Sequence, residues 1–211
     1  PLLDLFLPPR CGGCRRVGSW LCERCRAKIR RLEEPLAAGV AWSSIGEKDV
    51  RMPHKAAVAT RLRSAVAYEG PVEHAVHRFK YEGWRRLAEP LAQLLAERLV
   101  VEGVAARWVV AVPLHPARMR QRGFNQAELL SRELRRRLRL GTPPGVLVRT
   151  RATPPQVGHD RRWRLTNVSG AFAWKGDSLM GESILIVDDV ATTGATLDAC
   201  ASALRAAGRG P

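Results

Sequence analysis

Two neighbouring carboxylates near the C-terminus stand between an apolar run and a stretch of small and hydroxyl-bearing residues. Asp188 and Asp189 follow an apolar run and precede a small, hydroxyl-rich stretch at 191–196 that contains one glycine. Small residues let backbone N–H groups approach a ligand closely, and a helix N-terminus adds unpaired donors and partial positive charge, which suits a phosphate. Carboxylates would repel a phosphate, so they suit vicinal sugar hydroxyls or a hydrated Mg²⁺ instead. The stretch therefore predicts a ligand with a phosphate at one end and ribose hydroxyls near the other. The alternative is a capped strand-to-helix turn that binds nothing.

Four of the five cysteines form two C-x-x-C pairs near the N-terminus, "CGGC" at 11–14 and "CERC" at 22–25. Two such pairs a few residues apart supply four thiolates for one tetrahedral Zn²⁺. A closed set of four leaves no open position for water, so this zinc would be structural. A redox pair or disulfides are the alternatives. The predicted zinc ligands are Cys11, Cys14, Cys22 and Cys25, and the fifth cysteine, Cys200, is predicted to lie in the core.

The acid pair needs a strand before it and a helix after it. The run Ile184–Val187 is uninterrupted and branched, as in a strand covered on both faces of a parallel sheet, and apolar residues recur at helical spacing after Thr196. A second unit has an apolar strand at 108–112, then a basic loop and a leucine-faced helix. Loops that follow parallel strands meet at one sheet edge, where open α/β sheets bind ligands. The sequence thus predicts an α/β fold in which the basic loop faces the acid pair.

The chain divides by composition into three parts. Residues 1–34 form the cysteine module, residues 35–60 lack periodicity and are typical of a linker or irregular cover, and residues 61–211 carry the α/β elements. Within the last part, the long polar segment after "GVLVRT" has the length of a functional lid whose arginines would close over pyrophosphate. The alternative for this segment is a disordered surface loop.

Two amphipathic helices are predicted before the first strand, at 71–83 and 85–100. His74 and His77 lie three residues apart on the first of them. No carboxylate or cysteine follows at matching spacing, so a surface or packing role is favoured over a metal pair.

The chain is strongly basic, with 35 Lys and Arg against 20 Asp and Glu and a net charge of +15. Such a surface favours polyanions, either nucleic acid or pyrophosphate. The alternative is an arginine-rich composition on a merely solvated surface. The sequence has no apolar run of about 18 residues, so no membrane span is expected. The start "PLLDLFLPP" lacks the basic leader of a signal peptide, and we expect a cytoplasmic protein.

The string "ILIVDDVATTGATL" resembles the 5-phosphoribosyl 1-pyrophosphate (PRPP) motif of type I phosphoribosyltransferases. Taken with the cysteine pairs and with "HRFKYEG", "VAVPLHPARMRQRGFNQAELL", "RTRATPPQ" and "RLTNVSGAF", the chain is similar to the ComF-type family of phosphoribosyltransferase-like proteins, which has GntX-like members linked to DNA uptake. The pairing of "RGFNQ" with "DDVATTGAT" makes the likeness specific. It implies a type I phosphoribosyltransferase fold at 61–211, a mostly parallel sheet flanked by helices, with a small N-terminal zinc module of four cysteine ligands. It also implies a C-terminal strand that is missing or truncated here.

The resemblance implies roles for individual residues. Asp188 and Asp189 would contact the ribose hydroxyls, and the backbone at Leu114 and His115 would line the pyrophosphate side. The loop that would hold the 5′-phosphate consists of Ala191, Thr192, Thr193, Gly194, Ala195 and Thr196. The charges that would act on the departing pyrophosphate belong to Arg118, Arg122, Arg162 and Arg164, with Lys80 as a further cation. Asn125 and Gln126 open the helix that follows the basic loop, where capping by Asn125 is favoured and contact with the ligand is the alternative. Two departures from the family pattern are the small Ala191 and the loop residue His159.

Two functions fit these features. The first is Mg²⁺-dependent phosphoribosyl transfer from PRPP to an acceptor that the sequence does not name, in competence, DNA uptake or DNA processing, with one structural Zn²⁺. The second is a non-catalytic accessory protein that binds single-stranded DNA and in which PRPP binding is regulatory or vestigial. Trp20, Trp42 and Trp84 would then be stacking surfaces, and the alternative is that they are core or interface anchors. By resemblance, the protein partners would be a DNA-uptake helicase and recombination-mediator proteins.

Overall fold

A computed structural model of the chain describes residues 8–32, 63–151, 170–191 and 194–208. Several predicted features lie outside these residues: the linker at 35–60, most of the polar loop, and the side chains of Trp42, His159, Arg162, Arg164, Thr192 and Thr193. The domain boundaries drawn from composition stay predictions.

The described residues contain six α-helices, which are α1 Glu23–Arg26, α2 Gly70–Tyr81, α3 Ala88–Val101, α4 Pro116–Arg122, α5 Gln126–Leu138 and α6 Ala195–Gly208. A short 3₁₀ turn at Arg85–Leu87 leads into α3. Helices α2 and α4 each have a proline in the first turn, where its missing N–H has no helical partner to lose. Both predicted amphipathic helices are confirmed. A bilayer span takes about 20 apolar residues, and the longest described helices, α3 and α6, have 14 residues each, so none of the described helices qualifies as a membrane span.

Four strands form two separate pairs in the described part of the chain. The strand β1 (Trp108–Ala111) pairs in parallel with β4 (Ile184–Val187), and Ala111 lies opposite Val187. The strand β2 (Gly145–Arg149) pairs antiparallel with β3 (Phe172–Gly176). The parallel register brings the carboxyl ends of β1 and β4 to one edge, and the N–H of Val112 continues the ladder to the carbonyl of Val187 at 2.9 Å.

The fold is thus mixed α/β, and one expectation about the sheet is corrected. The described strands form one parallel and one antiparallel pair, so a single mostly parallel sheet stays a prediction. The sequence predicts that β4 is covered on both faces, but of its four residues only Val187 is buried. The other three residues stay partly exposed because a cleft of about 1130 Å³ opens beside β4. Apolar residues of α2, α3 and α6 line this cleft.

Three apolar clusters occur among the described residues, and the two larger ones hold the helices and strands of the α/β part together. Helix α3 packs against α5, and the larger cluster contains the fully buried Phe79, Leu87 and Leu134. The second cluster covers the other side of β1 and β4, and it includes Cys200, which is fully buried. The core role predicted for Cys200 is confirmed.

Candidate functional site

The acid pair lies directly after β4, at the edge where the two parallel strands end. Asp188 and Asp189 are both half-buried, and both line the cleft beside β4. The Oδ1 atom of Asp188 accepts a hydrogen bond from the N–H of Asp189 at 2.8 Å. This bond fixes the carboxylate of Asp188 relative to the backbone of Asp189.

The environment of Asp188 raises the pKa of its carboxyl into the neutral pH range. Burial is the largest influence and raises the pKa of its carboxyl, and the charge of Asp189 raises it further. The N–H of Asp189 and the ammonium of Lys80 act in the opposite direction, and the resulting pKa is about 7 against an ordinary 3.8. Near pH 7 the Asp188 carboxyl is therefore divided between its protonated and its ionised form.

The ammonium of Lys80, on α2, lies 2.9 Å from Oδ1 of Asp189. Both side chains are largely buried, with 15% and 11% of their surface exposed. The family string "HRFKYEG" indicated a cation at this position, but sequence alone did not indicate its partner. The structure therefore joins α2 to the acid pair.

The phosphate end of the predicted site is only partly described. Gly194 has a φ of +75°, which favours glycine, and its carbonyl accepts the N–H of Asp198 at 2.9 Å as α6 begins. Ala195 is buried in the first turn, and Thr196 and Ala191 are half-buried beside it. The start of a 14-residue helix at this place agrees with the predicted turn, and a bound phosphate there stays a prediction.

The basic loop after β1 forms helix α4 with its own caps. Leu114 is half-buried, and Nδ1 of His115 accepts the N–H of Ala117 at 3.2 Å as the N-cap of α4. Asn125 caps α5 by accepting the N–H of Ala127 at 3.0 Å, and it also donates to the carbonyl of Val112 at 3.0 Å. The capping role predicted for Asn125 is confirmed, and its second bond ties the start of α5 to the end of β1.

The two predicted arginines of α4 have different surroundings. Arg118 is exposed, whereas Arg122 is half-buried, donates to Oε1 of Gln126 at 3.0 Å and covers the ring of Tyr81 at 5.1 Å. The structure thus brings Arg122 next to the last turn of α2.

Arg149, at the end of β2, is a residue of this region that sequence reasoning missed. Burial and the charge of Arg118 lower the pKa of Arg149, while the charges of Cys200 and Asp188 raise it. A guanidinium keeps its charge despite such a shift, so Arg149 adds a half-buried cation near Asp188. Its position in the family string "RTRATPPQ" was the available signal.

The four N-terminal cysteines fit a zinc ion. Their Sγ atoms all lie within 4.8 Å of one another, and those of Cys14 and Cys22 are 3.6 Å apart. Zinc–sulfur bonds of about 2.3 Å in a tetrahedron place sulfurs about 3.8 Å apart. The N–H of Cys22 points to Sγ of Cys11 at 3.3 Å. Burial opposes ionisation of Cys11, but hydrogen bonds from the N–H groups of Cys14, Cys22 and Gly13 outweigh it and lower the pKa of Cys11 to about 6. Burial and hydrogen bonds with the other three cysteines raise the pKa of Cys25 instead, so the fit to a structural zinc rests on the spacing of the four sulfurs.

Three curated proteins show what the chain is similar to. DNA utilization protein YhgH of Escherichia coli K12 is 31% identical over 205 residues, which cover 92% of this chain and 89% of the relative. Competence protein F of Haemophilus influenzae is 31% identical over 150 residues, 67% of this chain and 65% of the relative. The chain belongs to the ComF family. Competence protein ComFC of Streptococcus pneumoniae is 27% identical over 196 residues, 92% of this chain and 85% of that ComF relative. No protein-family model and no solved structure matches the chain.

In this ComF chain, the cysteine module is joined to α2 and α3 by contacts that need glycine at two positions. A Cβ on Gly12 would come within 2.6 Å of a methyl group of Leu87, and a Cβ on Gly13 would come within 2.7 Å of Sγ of Cys25. Both glycine carbonyls accept hydrogen bonds from Nη1 of Arg78, the second at 3.0 Å. Gly12 therefore allows the close approach of the module to Leu87, and Gly13 leaves room for Cys25 inside the module.

Trp20 and Trp84 strengthen the same junction in the ComF chain. Their rings meet edge to face with centroids 6.4 Å apart, and both pack against the main apolar cluster. Arg78 covers the ring of Trp84 at 5.7 Å. This packing favours the anchor role for these two tryptophans over the stacking role.

Among the described residues, the four cysteines form the one cluster of three or more His, Cys, Asp or Glu side chains with metal-ligand spacing. His74 and His77 are exposed, and His77 contacts the ring of Tyr81 with centroids 4.9 Å apart. The surface role predicted for the two histidines is confirmed.

Proposed function

We propose that this ComF-family protein binds PRPP with Mg²⁺ at the acid pair and acts in competence, DNA uptake or DNA processing. The names of the relatives, competence protein and DNA utilization protein, support the biological setting. The proposal includes a type I phosphoribosyltransferase fold for the larger domain and, as family inference, a DNA-uptake helicase and recombination mediators as partners.

One observation carries the ligand assignment. Two carboxylates, one of them with a pKa near 7, stand at the carboxyl end of a parallel strand immediately before the N-terminus of a long helix. Sugar hydroxyls fit the carboxylates and a phosphate fits the helix start, so one molecule with both groups satisfies the whole turn. PRPP has this combination of groups.

The transfer that such a site would support is a displacement at the anomeric carbon of the ribose. The bond from that carbon to pyrophosphate breaks, pyrophosphate leaves with the electron pair, and an acceptor atom forms the new bond. When bound, Mg²⁺ supplies positive charge to the leaving pyrophosphate. The carboxylates of Asp188 and Asp189 favour the positive charge that develops on the sugar. The cations of Arg118 and Arg122, with Arg162 and Arg164, are assigned to the leaving group.

Calorimetric titration of the zinc-loaded protein with Mg-PRPP tests this proposal. We expect saturable binding by the wild type and at least a tenfold weaker Kd for Asp188→Asn/Asp189→Asn, because the double change removes the charges opposite the ribose and Mg²⁺. The matched control is Asp177→Asn, which makes the same chemical change at an exposed site. Equal affinity in the double variant and the wild type, or no binding by a folded wild type, would contradict the proposal.

A second candidate, single-strand DNA binding, is favoured by the exposed basic side chains of the cysteine module. These side chains are Arg10, Arg15, Arg16, Arg24 and Lys28. The ion pair of Arg15 with Glu82, at 3.6 Å, brings the module beside the end of α2. Several exposed cations in one small module suit the backbone of a single strand.

The salt dependence of the affinity for single-stranded DNA tests this second candidate function. We expect a labelled oligothymidine to bind with an affinity that falls steeply between about 50 and about 200 mM salt, because bound counterions are released. The variant Arg15→Gln/Arg16→Gln should lower the slope of log K against log salt by about 1.4, since each lost phosphate contact on a single strand contributes about 0.7. The control, Arg132→Gln/Arg205→Gln, changes the same charge at exposed positions of α5 and α6. The same loss in both variants would show that net charge, and not the cysteine module, is responsible.

A further inference from the structure

The last turn of α2 contacts three separate parts of the molecule through three consecutive residues. Arg78 donates to the carbonyls of Gly12 and Gly13 in the cysteine module, Phe79 packs against Phe124 with ring centroids 5.8 Å apart, and Lys80 pairs with Asp189. Consecutive helical residues point about 100° apart, so one turn can reach three neighbours. The contacts of Arg78 and Phe79 therefore fix the helical turn from which Lys80 reaches Asp189.

The pair between Lys80 and Asp189 differs from most ion pairs of the described chain. A surface pair such as Arg30 with Glu69 has more than half of each side chain exposed, at 55% and 54%. Pairs of that kind contribute little, because water and salt screen them. With 15% and 11% exposed, Lys80 and Asp189 are poorly screened, so loss of the ammonium would leave a half-buried carboxylate beside a second one.

Other ionisable groups also face the acid pair. Burial is the main cause of the raised pKa of Tyr68, and Asp189 is among the charges that raise it further. Arg149 acts on Asp188 from β2, and burial together with Asp188 raises the pKa of the thiol of Cys200 on α6. Tyr68 and Cys200 are neutral near pH 7 under these conditions. Within the described ranges, Lys80 is thus a cation in contact with the acid pair, and Arg149 is a second cation near it.

We propose that Lys80 is a positioning residue of this site, which acts through Asp189 by holding that carboxylate in one orientation beside Asp188. What the pair then binds rests on the proposed PRPP function, whereas the effect of Lys80 on the pair does not. The proposal also explains why the family string "HRFKYEG" has its lysine directly after the arginine and phenylalanine that fix this turn.

Carboxyl-carbon NMR titration of ¹³C-labelled protein tests the proposal in wild type, Lys80→Met and Lys80→Arg. Asp188→Asn assigns the two signals. We expect Lys80→Met to raise the pH at which the pair takes up its first proton by about one unit or more, because an opposite charge at this distance shifts a carboxyl pKa by about 1–3 units. Lys80→Arg keeps the charge and should leave that pH within about 0.3 units. If Lys80→Met does not fold, Lys80→Gln takes its place in the same titration.

Mg-PRPP affinity against pH supplies the functional readout. The Kd of Lys80→Met should be about tenfold weaker than that of the wild type at pH 7 and should recover towards about pH 8.5, where the pair ionises again. An unchanged titration midpoint in Lys80→Met, or an affinity loss that is the same at every pH, overturns the positioning role. If the wild type fails to bind Mg-PRPP, the proposed function fails, and the NMR titration still decides the role of Lys80.

Discussion

Replacement of Cys14 by serine is expected to abolish zinc binding and to lower the free energy of unfolding of the N-terminal module more than any other single change considered. Cys14 is exposed, so its loss removes a ligand without leaving a cavity. The module has few other sources of stability: its apolar cluster consists of Cys11, Leu21 and Cys25 with Leu94 of α3. Two of these residues are themselves predicted zinc ligands.

The expected magnitude follows from the role of metal in such small modules. Structural zinc contributes about 10–16 kcal/mol of binding free energy in zinc-finger peptides, and that energy is folding energy. We expect a loss of at least about 3 kcal/mol here, which lowers the unfolding temperature of a chain of this size by roughly 10 °C. Zinc content per chain and a thermal unfolding curve with and without a chelator measure both effects.

Cys200→Ala is the matched control for the zinc experiment. Cys200 is a cysteine of the second apolar cluster, fully buried and remote from the four predicted ligands. This variant should keep one zinc per chain even though the lost packing lowers its stability. Full zinc content in Cys14→Ser, or a chelator that leaves the wild-type unfolding curve unchanged, would show that the cysteines are not a metal site.

Asp188→Asn is expected to stabilise the protein at pH 8 and to leave its stability nearly unchanged at pH 4. Burial and Asp189 raise the pKa of Asp188 in the folded protein to about 7, above the ordinary 3.8 of an unfolded chain. The folded state therefore binds more protons than the unfolded state between these two values, and stability falls as pH rises through this window. Asparagine is never ionised, and its side-chain oxygen can still accept the N–H of Asp189.

The size of the pKa shift of Asp188 sets the size of this difference in stability. Each pKa unit corresponds to about 1.4 kcal/mol, so the stability difference between variant and wild type should grow by about 2–4 kcal/mol from pH 4 to pH 8. Urea unfolding at a series of pH values measures it. Asp177→Asn, which makes the same chemical change at an exposed position, is the control in the same unfolding series. A variant that is less stable than the wild type at pH 8 would refute the assignment of a raised pKa.

Substitution of Asp188 is expected to raise stability at pH 8 but to weaken the binding of Mg-PRPP. The variant that is more stable at pH 8 is also part of the double variant that should lose Mg-PRPP. A buried acid that costs stability and can be replaced with a gain in stability is typical of a residue retained for function. Agreement of both results would separate a ligand site from a merely capped turn.

The sequence by itself determined the features that depend on neighbours in the chain. The four cysteine sulfurs converge because each C-x-x-C pair is a local turn, and the "GG" between the first two leaves room for it. Helices α2, α3 and α5 follow from periodicity, and Asn125 follows from the preference of its amide for an N-cap. The turn after β4 is predictable for the same reason, because an apolar strand, two acids and small residues succeed one another.

Only the tertiary structure decided which distant groups meet. The partner of Asp189 is Lys80, and Arg149 of β2 lies near Asp188, although nothing in local spacing indicates either contact. The packing of Trp20 on Trp84 and the partial exposure of β4 likewise depend on how the helices and strands pack together. Local propensity acts over a few residues, whereas burial, charge pairing and pKa depend on whatever the fold places within a few ångströms. The acid pair could therefore be located from the sequence, but its protonation and its lysine could not.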